Sequence, residues 1–306
     1  MKRFWKWFCI SALSLCAITL AIYYKVYSDV KETVEVVYTP FQDETTIKRE
    51  IKREKPIDVK AKEPFSALIV GVDERAGDKG RTDTMIVLTV NPTQKSTKML
   101  SIPRDTYTEL IGLDINDKIN HAYAFGGMEM TINTVEALLD IPIDYAAKVN
   151  MESFVEIINL TGNIKVENPF EFDYEGELFP AGELELDGEK ALKYVRMRYE
   201  DPQGDFGRQN RQKQVIQQII KNSLSLNTLK NYQSIIQSLE NNVEMNIPFE
   251  DLLNIQKDYR DSFGTLEQLY LNNGTGKMMN GIYYYVPDEK ELKTVQETLR
   301  SHLEIK

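Results

Sequence analysis

The sequence predicts an α/β fold: a three-layer α/β/α domain with a mixed central sheet, preceded by one N-terminal transmembrane helix. Three observations predict it. β-Rich apolar runs alternate with segments whose apolar residues recur at helical spacing. A polar turn containing Pro92 joins two of those runs as a hairpin beside a central strand. An uncharged run of 18 residues, Trp7 to Tyr24, stands ahead of them all.

As a helix rising about 1.5 Å per residue, that run spans roughly 27 Å, close to a bilayer's hydrocarbon core. Trp5, Trp7, Tyr23 and Tyr24 stand where an interfacial belt would lie, and Lys2, Arg3 and Lys6 set the N-terminus inside. A cleaved signal peptide is the other reading, but its apolar core would be shorter, and Ile22-Tyr23-Tyr24-Lys25 offers no small-residue cleavage site. The expected division is a cytoplasmic N-terminus at 1–6, an anchor at 7–26, a charged extracellular stalk at 27–63 and an extracellular domain at 64–306. Such a chain is a single-pass cell-membrane protein.

After Pro64, Phe65 to Val72 and Thr84 to Val90 read as strands, and Met99 to Ile102 resumes an apolar strand after the turn at Asn91 to Ser96. Gly126-Gly127 precedes a helical pattern through Ile132, Val135, Leu138 and Leu139. Ile143 to Val149 is strand-like, and Phe154 to Leu160 is helical. Helices are expected at Gly188 to Tyr194, Arg208 to Ser223, Met245 to Tyr259 and Glu289 to Leu303, with strands at Leu266 to Leu271 and Gly281 to Val286.

Composition excludes several classes. With 42% hydrophobic and 27% charged residues in 306, the chain has material for a packed core and is neither disordered nor collagen-like. The net charge is −10, and Lys2, Arg3, Lys6 and Lys25 lie in a segment without acids, so the body is more acidic still. Bulk charge therefore argues against nucleic acid as a partner, and any polyanion must meet a local cationic pocket. Both cysteines, Cys9 and Cys16, lie in the apolar run, and only His121 and His302 are present. The body thus has no disulfide, thiolate site or His-rich zinc site, and a metal there would be oxygen-bound.

Two constellations carry chemistry. Asp73 ends the first apolar run and Asp83 opens the second, across a loop containing Gly77 and Gly80, with Arg75 and Arg81 beside them. If the two strands are neighbours, the carboxylates converge as a hard-oxygen site of the kind that holds Mg²⁺. Otherwise they are ordinary turn aspartates. Tyr194-Val195-Arg196-Met197-Arg198-Tyr199 alternates, and as a strand it would put Arg196 and Arg198 on one face and Val195, Met197 and Tyr199 on the other. Arg208 and Gln212 follow at i and i+4 on a helix, and Arg104 stands at a strand end. Arginine forks suit phosphate oxygens. A solvated face paired to Glu200, Asp201 and Asp205 is the alternative.

The order of these residues resembles the LytR-CpsA-Psr family of Gram-positive cell-wall ligases. The segments that carry the likeness are Leu68-Ile69-Val70-Gly71-Val72-Asp73-Glu74-Arg75, Arg81-Thr82-Asp83-Thr84-Met85, Ser101-Ile102-Pro103-Arg104-Asp105-Thr106, Lys118-Ile119-Asn120-His121-Ala122-Tyr123, and Val195-Arg196-Met197-Arg198 followed by Gly204 to Gln212. They cover about residues 65 to 220. The resemblance implies an enzyme that moves an anionic glycopolymer, such as a teichoic acid, from a polyprenyl-pyrophosphate carrier to a muramic acid C6 hydroxyl of peptidoglycan, at the cytoplasmic membrane. It implies Mg²⁺, or alternatively Mn²⁺, on Asp73 and Asp83, and pyrophosphate on Arg196, Arg198, Arg208, Gln212 and Lys118. Catalysis then falls to Arg75, Arg81 and Arg104, with Asp205 either accepting the hydroxyl proton or orienting an arginine. A hydrolase of the same lipid and a non-catalytic binder that regulates wall assembly are the alternatives.

A prenyl tail needs an apolar channel, for which the stripes Val135, Leu138, Leu139 and Phe154, Ile157, Ile158 are candidates, although such stripes are more often core. Gly274-Thr275-Gly276-Lys277 fails as a phosphate-binding loop, because Leu271 and Met278 replace the residues it requires. His121 is expected to be a structural hydrogen-bonder.

Overall fold

The computed structural model describes residues 2–41, 53, 55–72, 80–223 and 243–305. In chain order the elements begin with α1 (Lys2–Val37), β1 (Phe65–Val72), β2 (Thr82–Asn91), β3 (Ser96–Ser101), β4 (Tyr107–Leu110), β5 (Ile115–Lys118), α2 (His121–Leu139), β6 (Tyr145–Asn150) and α3 (Met151–Thr161). Next come β7 (Ile164–Asn168), β8 (Phe172–Tyr174), β9 (Glu177–Phe179), β10 (Gly182–Leu186), α4 (Gly188–Arg196) and α5 (Asp205–Ser223). The chain closes with β11 (Val243–Met245), α6 (Phe249–Asp258), β12 (Leu266–Leu269), β13 (Thr275–Met279), β14 (Ile282–Val286) and α7 (Glu289–His302).

The central sheet has the order β11-β6-β1-β2-β3-β12. It is mixed, as expected: β1 pairs antiparallel with β2 and parallel with β6, and β3 pairs antiparallel with β2 and parallel with β12. Both faces are buried, because alternate residues of β1 are apolar on either side. Leu68, Val70 and Val72, with Met85, Val87 and Leu100, pack on Ile132, Val135 and Leu139 of α2 and on Val295 and Leu299 of α7. On the other face Phe65 and Val90 meet Ile255 of α6, while Ile69, Ile86 and Leu88 meet Ile216 of α5. Helices on both faces make the predicted α/β architecture.

A smaller lobe holds the pairs β7–β10 and β8–β9 against α3, α4 and α5, with Phe172, Phe179 and Tyr194 at its centre. The Phe172 and Phe179 rings stack at 4.9 Å. Glycine decides how closely α3 and α4 approach, since a Cβ on Gly188 would lie 2.2 Å from the Val155 carbonyl oxygen.

Two expectations need correction. The helix expected after Gly126-Gly127 starts earlier, at His121, and kinks at that pair. Gly127 has φ +64°, a conformation a Cβ would disfavour, so the two glycines bend the helix instead of opening it. The interval 27–63, expected as a stalk, contributes to the packed body where it is described. Tyr27 meets Phe249 edge-on at 5.2 Å, Val34 and Val37 are buried, and the Thr39 amide donates to the Met245 carbonyl at 2.8 Å. Arg53 lies 2.8 Å from Asp144, and Val59 is buried. The anchor expected at 7–26 falls within α1, and among the described residues no helix is long and apolar enough to cross a membrane. His121 Nδ1 lies 2.7 Å from Asp117 Oδ2, a hydrogen bond from the first residue of α2 back to β5.

Candidate active site

Strand register places the first carboxylate. Gly71 pairs with Thr84 and Val72 with Thr82, so Asp83 is the extra residue of a bulge in β2. Bulges turn one side chain out of the regular alternation. Asp83 here joins Ile69, Gly71 and Thr84 in lining a pocket of about 410 Å³ between the sheet and α3, α4 and α5.

Arginines ring the same end of the pocket. Arg104, in the turn after β3, pairs with Asp83 through Nη1, and its Nε lies 3.8 Å from Asp105. Burial works against the Arg104 charge, but Asp83, Asp105 and Asp205 outweigh it and raise its pKa. Arg208 is 5% exposed, with Nη2 2.8 Å from Asp205 Oδ1. Burial lowers its pKa, Asp205 opposes that shift, and the charges of Arg104 and Arg198 add to it. Arg208 Nε is buried without a hydrogen-bond partner. A rigid cationic fork with an unused N–H, held among like charges, is a seat for an anion.

Arg198 donates through Nη2 to the Tyr199 hydroxyl at 2.6 Å, and its guanidinium lies 4.5 Å from that ring's centre. Those contacts, the hydrogen bond foremost, hold the Tyr199 pKa below its ordinary value. Arg196 lies 3.9 Å from Glu175 at the lobe side. These two arginines do not share a strand face. Residues through Arg196 complete α4, with the Asp187 carboxylate capping its start, and only from Met197 does the chain extend. Met197 is therefore core, whereas Val195 and Tyr199 line the pocket.

Arg211 has a different task. Its guanidinium pairs with Asp201, both side chains being 2% exposed, donates from Nε to the Tyr194 carbonyl at 2.9 Å and from Nη2 to the Met197 carbonyl, and lies over the Phe172 and Tyr194 rings. Asp201 reaches it because Gly207 carries no side chain: a Cβ there would sit 1.9 Å from an Asp201 oxygen. This clamp ties the end of α4 to the start of α5 and fixes the two segments that carry Arg198 and Arg208.

Beyond the arginines the pocket is apolar. One stripe of α5 reads Arg208, Gln212, Ile216, Ile219 and Ile220, so polarity falls along a single helix face. Phe154 and Ile157 of α3 and Leu192 and Val195 of α4 complete the wall. Of the stripes considered for a channel, Phe154 and Ile157 take part, Ile158 lies in the core of the lobe, and Val135, Leu138 and Leu139 lie in the main core beneath α7.

The structure thus gathers Asp83, Arg104, Arg196, Arg198, Arg208 and Gln212 into one lining. Asp205 stands behind Arg208, with its Oδ2 accepting from Gln209 at 3.2 Å. Lys118 is outside the lining and pairs with Asp105 at 2.7 Å. Arg81 is exposed just before β2, also outside the lining. Asp73 and Arg75 lie outside the described residues. Among the described residues no group of three metal-ligating side chains occurs. Sequence reading missed Tyr199 and the isoleucines of α5, although the spacing from Gln212 to Ile216 and Ile220 carries the signal for the latter.

The polyisoprenyl-teichoic acid–peptidoglycan teichoic acid transferase TagU of Bacillus subtilis (strain 168) is 49% identical over 259 residues, 85% of this chain and 84% of that protein. A crystal structure of B. subtilis TagU matches with a TM-score of 0.65 at 46% identity, covering 80% of this chain and 99% of that one. TagT bound to LIIa-WTA matches with a TM-score of 0.71 at 31% identity, over 84% and 97%. The family model LytR_cpsA_psr spans residues 31–301. With its arginine ring and apolar pocket in place, and with these likenesses over most of its length, the chain belongs to the LytR-CpsA-Psr family.

Proposed function

We propose that this protein transfers an anionic glycopolymer, such as a wall teichoic acid, from a polyprenyl-pyrophosphate carrier to the C6 hydroxyl of muramic acid in peptidoglycan. The observation that carries the reading is one pocket with a cationic end and an apolar wall. Such a lining suits an amphipathic pyrophosphate lipid better than a free sugar phosphate, which would gain nothing from Ile216, Ile219 and Ile220. The relatives named for teichoic acid transfer support the same chemistry.

In this reaction a phosphorus–oxygen bond to the polyprenyl phosphate breaks, and a bond from the C6 oxygen to the same phosphorus forms. The carrier leaves as polyprenyl monophosphate, whose freed phosphate oxygen takes up the proton lost by the hydroxyl. Arg198 and Arg208 hold the pyrophosphate oxygens, Gln212 donates beside them, and Arg104 faces the charge that develops on the transferred group. Asp205 positions Arg208: its oxygens already engage Arg208 and Gln209, so acting as a base would require releasing one of them. Arg196 extends the cationic rim. Lys118 holds Asp105 beside Arg104, and Arg81 and Arg75 flank the same sheet edge in sequence.

A divalent ion fits this end. Asp83 is a partly exposed hard-oxygen donor aimed into the pocket, and Asp73 directly follows the last residue of β1, the strand paired with β2. Mg²⁺ commonly takes one or two carboxylates together with phosphate oxygens. Bound there, Mg²⁺ or Mn²⁺ would supply charge neutralisation for the pyrophosphate.

The same reading sets the anchor at 7–26 in the cytoplasmic membrane, with residues 1–6 inside and the body outside, where a lipid-linked donor and peptidoglycan meet. Reconstitution with labelled lipid-linked donor and oligomeric peptidoglycan tests the function. Linked product is expected. Release of polymer to water alone would mark a hydrolase, and donor binding without either product a binder.

A further inference from the structure

A second pocket, of about 430 Å³, lies on the other side of the first turns of α5. Its lining is neutral amide and aromatic: Gln203, Gln209 and Asn210 face Phe206 and Tyr270. Among them stands Lys213, 2% exposed, whose ammonium lies 3.4 Å from the Leu269 carbonyl and 4.2 Å from the centre of the Tyr270 ring. Among the described residues no carboxylate pairs with it. Burial lowers its pKa to about 8. A buried cation without a counter-ion is costly to keep, and the described residues around it supply no compensating charge.

We propose that this pocket receives the acceptor, an N-acetylated saccharide whose attached peptide presents a carboxylate to Lys213; the inference rests on the transferase reading above. Amide side chains match the hydroxyl and acetamido groups of such a sugar, and aromatic rings match its apolar faces. The two pockets are joined by side chains. Gln209 lines the second pocket and donates to Asp205, and Asp205 pairs with Arg208, which lines the first. An acceptor on this side would approach the pyrophosphate across Asp205.

The test uses the full chain in detergent and two probes: soluble muropeptide oligomers with free peptide carboxylates, and tetra-N-acetylated chitotetraose as the uncharged control. Binding of each is measured by titration calorimetry, with polyprenyl-pyrophosphate donor binding followed in parallel. The wild type should bind the muropeptide at least tenfold more tightly than chitotetraose. Lys213→Gln should bring the two affinities together. Tyr270→Ala, a change at a half-exposed side chain, should weaken both by about tenfold and leave donor affinity intact. Equal affinities in the wild type, or muropeptide binding indifferent to both substitutions, would overturn the acceptor site. If donor binding is normal in that case, the transferase reading survives it. If the wild type fails to bind donor as well, that reading fails too.

Discussion

Arg104 closes an ion pair on Asp83, the bulged residue of β2, from the turn that follows β3. The carboxylate suited to a cation is therefore already shared with an arginine suited to a phosphate. On the reading proposed above, a cation taking up Asp83 would leave Arg104 to turn to the phosphate oxygens.

Asp83→Asn removes the charge and keeps the shape. Transfer should fall by at least a hundredfold, and Mg²⁺ titration should lose its binding isotherm. Stability should change by about 1 kcal/mol or less, because a partly exposed ion pair contributes little. Chelation should stop transfer by the wild type. Transfer by Asp83→Asn at wild-type rate in chelator would remove the metal from the mechanism.

Arg208 and Arg211 are three residues apart, yet substitutions should separate them. Charge-assisted hydrogen bonds are worth about 1.5–3 kcal/mol, so Arg208→Ala should weaken donor binding by one to two orders of magnitude, and Arg208→Lys by less, since the fork is lost but the charge remains. Arg211→Ala leaves Asp201 buried without its partner and should cost about 3–5 kcal/mol of folding stability. Urea unfolding and donor titration on the same variants distinguish the two roles.

The apolar wall predicts a dependence on tail length. Each buried methylene contributes about 0.8 kcal/mol, so donors with longer prenyl chains should bind more tightly until the wall is filled. Ile157→Asn and Ile219→Asn should flatten that dependence and leave the affinity of a tail-free sugar pyrophosphate unchanged. A tail dependence as steep in these variants as in the wild type would place the lipid elsewhere.

Stability should fall in mild acid because of His302. Its Nδ1 lies 2.7 Å from Thr89 Oγ1 and its Nε2 3.0 Å from Ser96 Oγ, with the ring buried beside β2 and β3. Burial first, and then Lys98, hold its pKa down at about 4. The folded state binds this proton less readily than the unfolded state, whose pKa is near 6.5. The contribution is complete above pH 6.5 and declines as pH falls towards 4. Denaturant midpoints between pH 7.5 and 4.5 should show the decline, and His302→Gln should make that part of the slope shallower.

The sheet was legible because β1 and β2 are apolar on both faces and end in Gly, Asp and Asn. The lobe was not. Its strands run three to five residues, too few periods to declare themselves, and Asn168 orders them by donating to the carbonyls of Phe170, Phe179 and Pro180. Arg196 to Tyr199 misled because two arginines either side of a methionine imitate strand alternation at what is a helix end. The helix spacing of Arg208 and Gln212 was sound. Nothing local distinguishes Arg208 from Arg211 as ligand seat and clamp: that difference resides in Asp201, Gly207 and two aromatic rings brought from elsewhere.

The packing of α1 onto the body sets how the protein explores its surroundings. Through Tyr27, Val34, Val37 and Thr39 the helix is bonded to α6 and β11, and 36 residues of helix measure about 54 Å. If, as proposed above, residues 7–26 lie in the membrane, such a rod would act as a mast and not as a leash. The pocket would then be carried at one altitude and one bearing relative to the lipid plane, with lateral diffusion and spin about the mast as its main freedoms. In that arrangement the lipid-linked donor would have to climb to a fixed port, and the sugar strands open to modification would be those passing at that height. Inserting a flexible Gly-Ser segment near Tyr38 would trade that fixed altitude for reach, spreading attachment over a thicker layer of the wall.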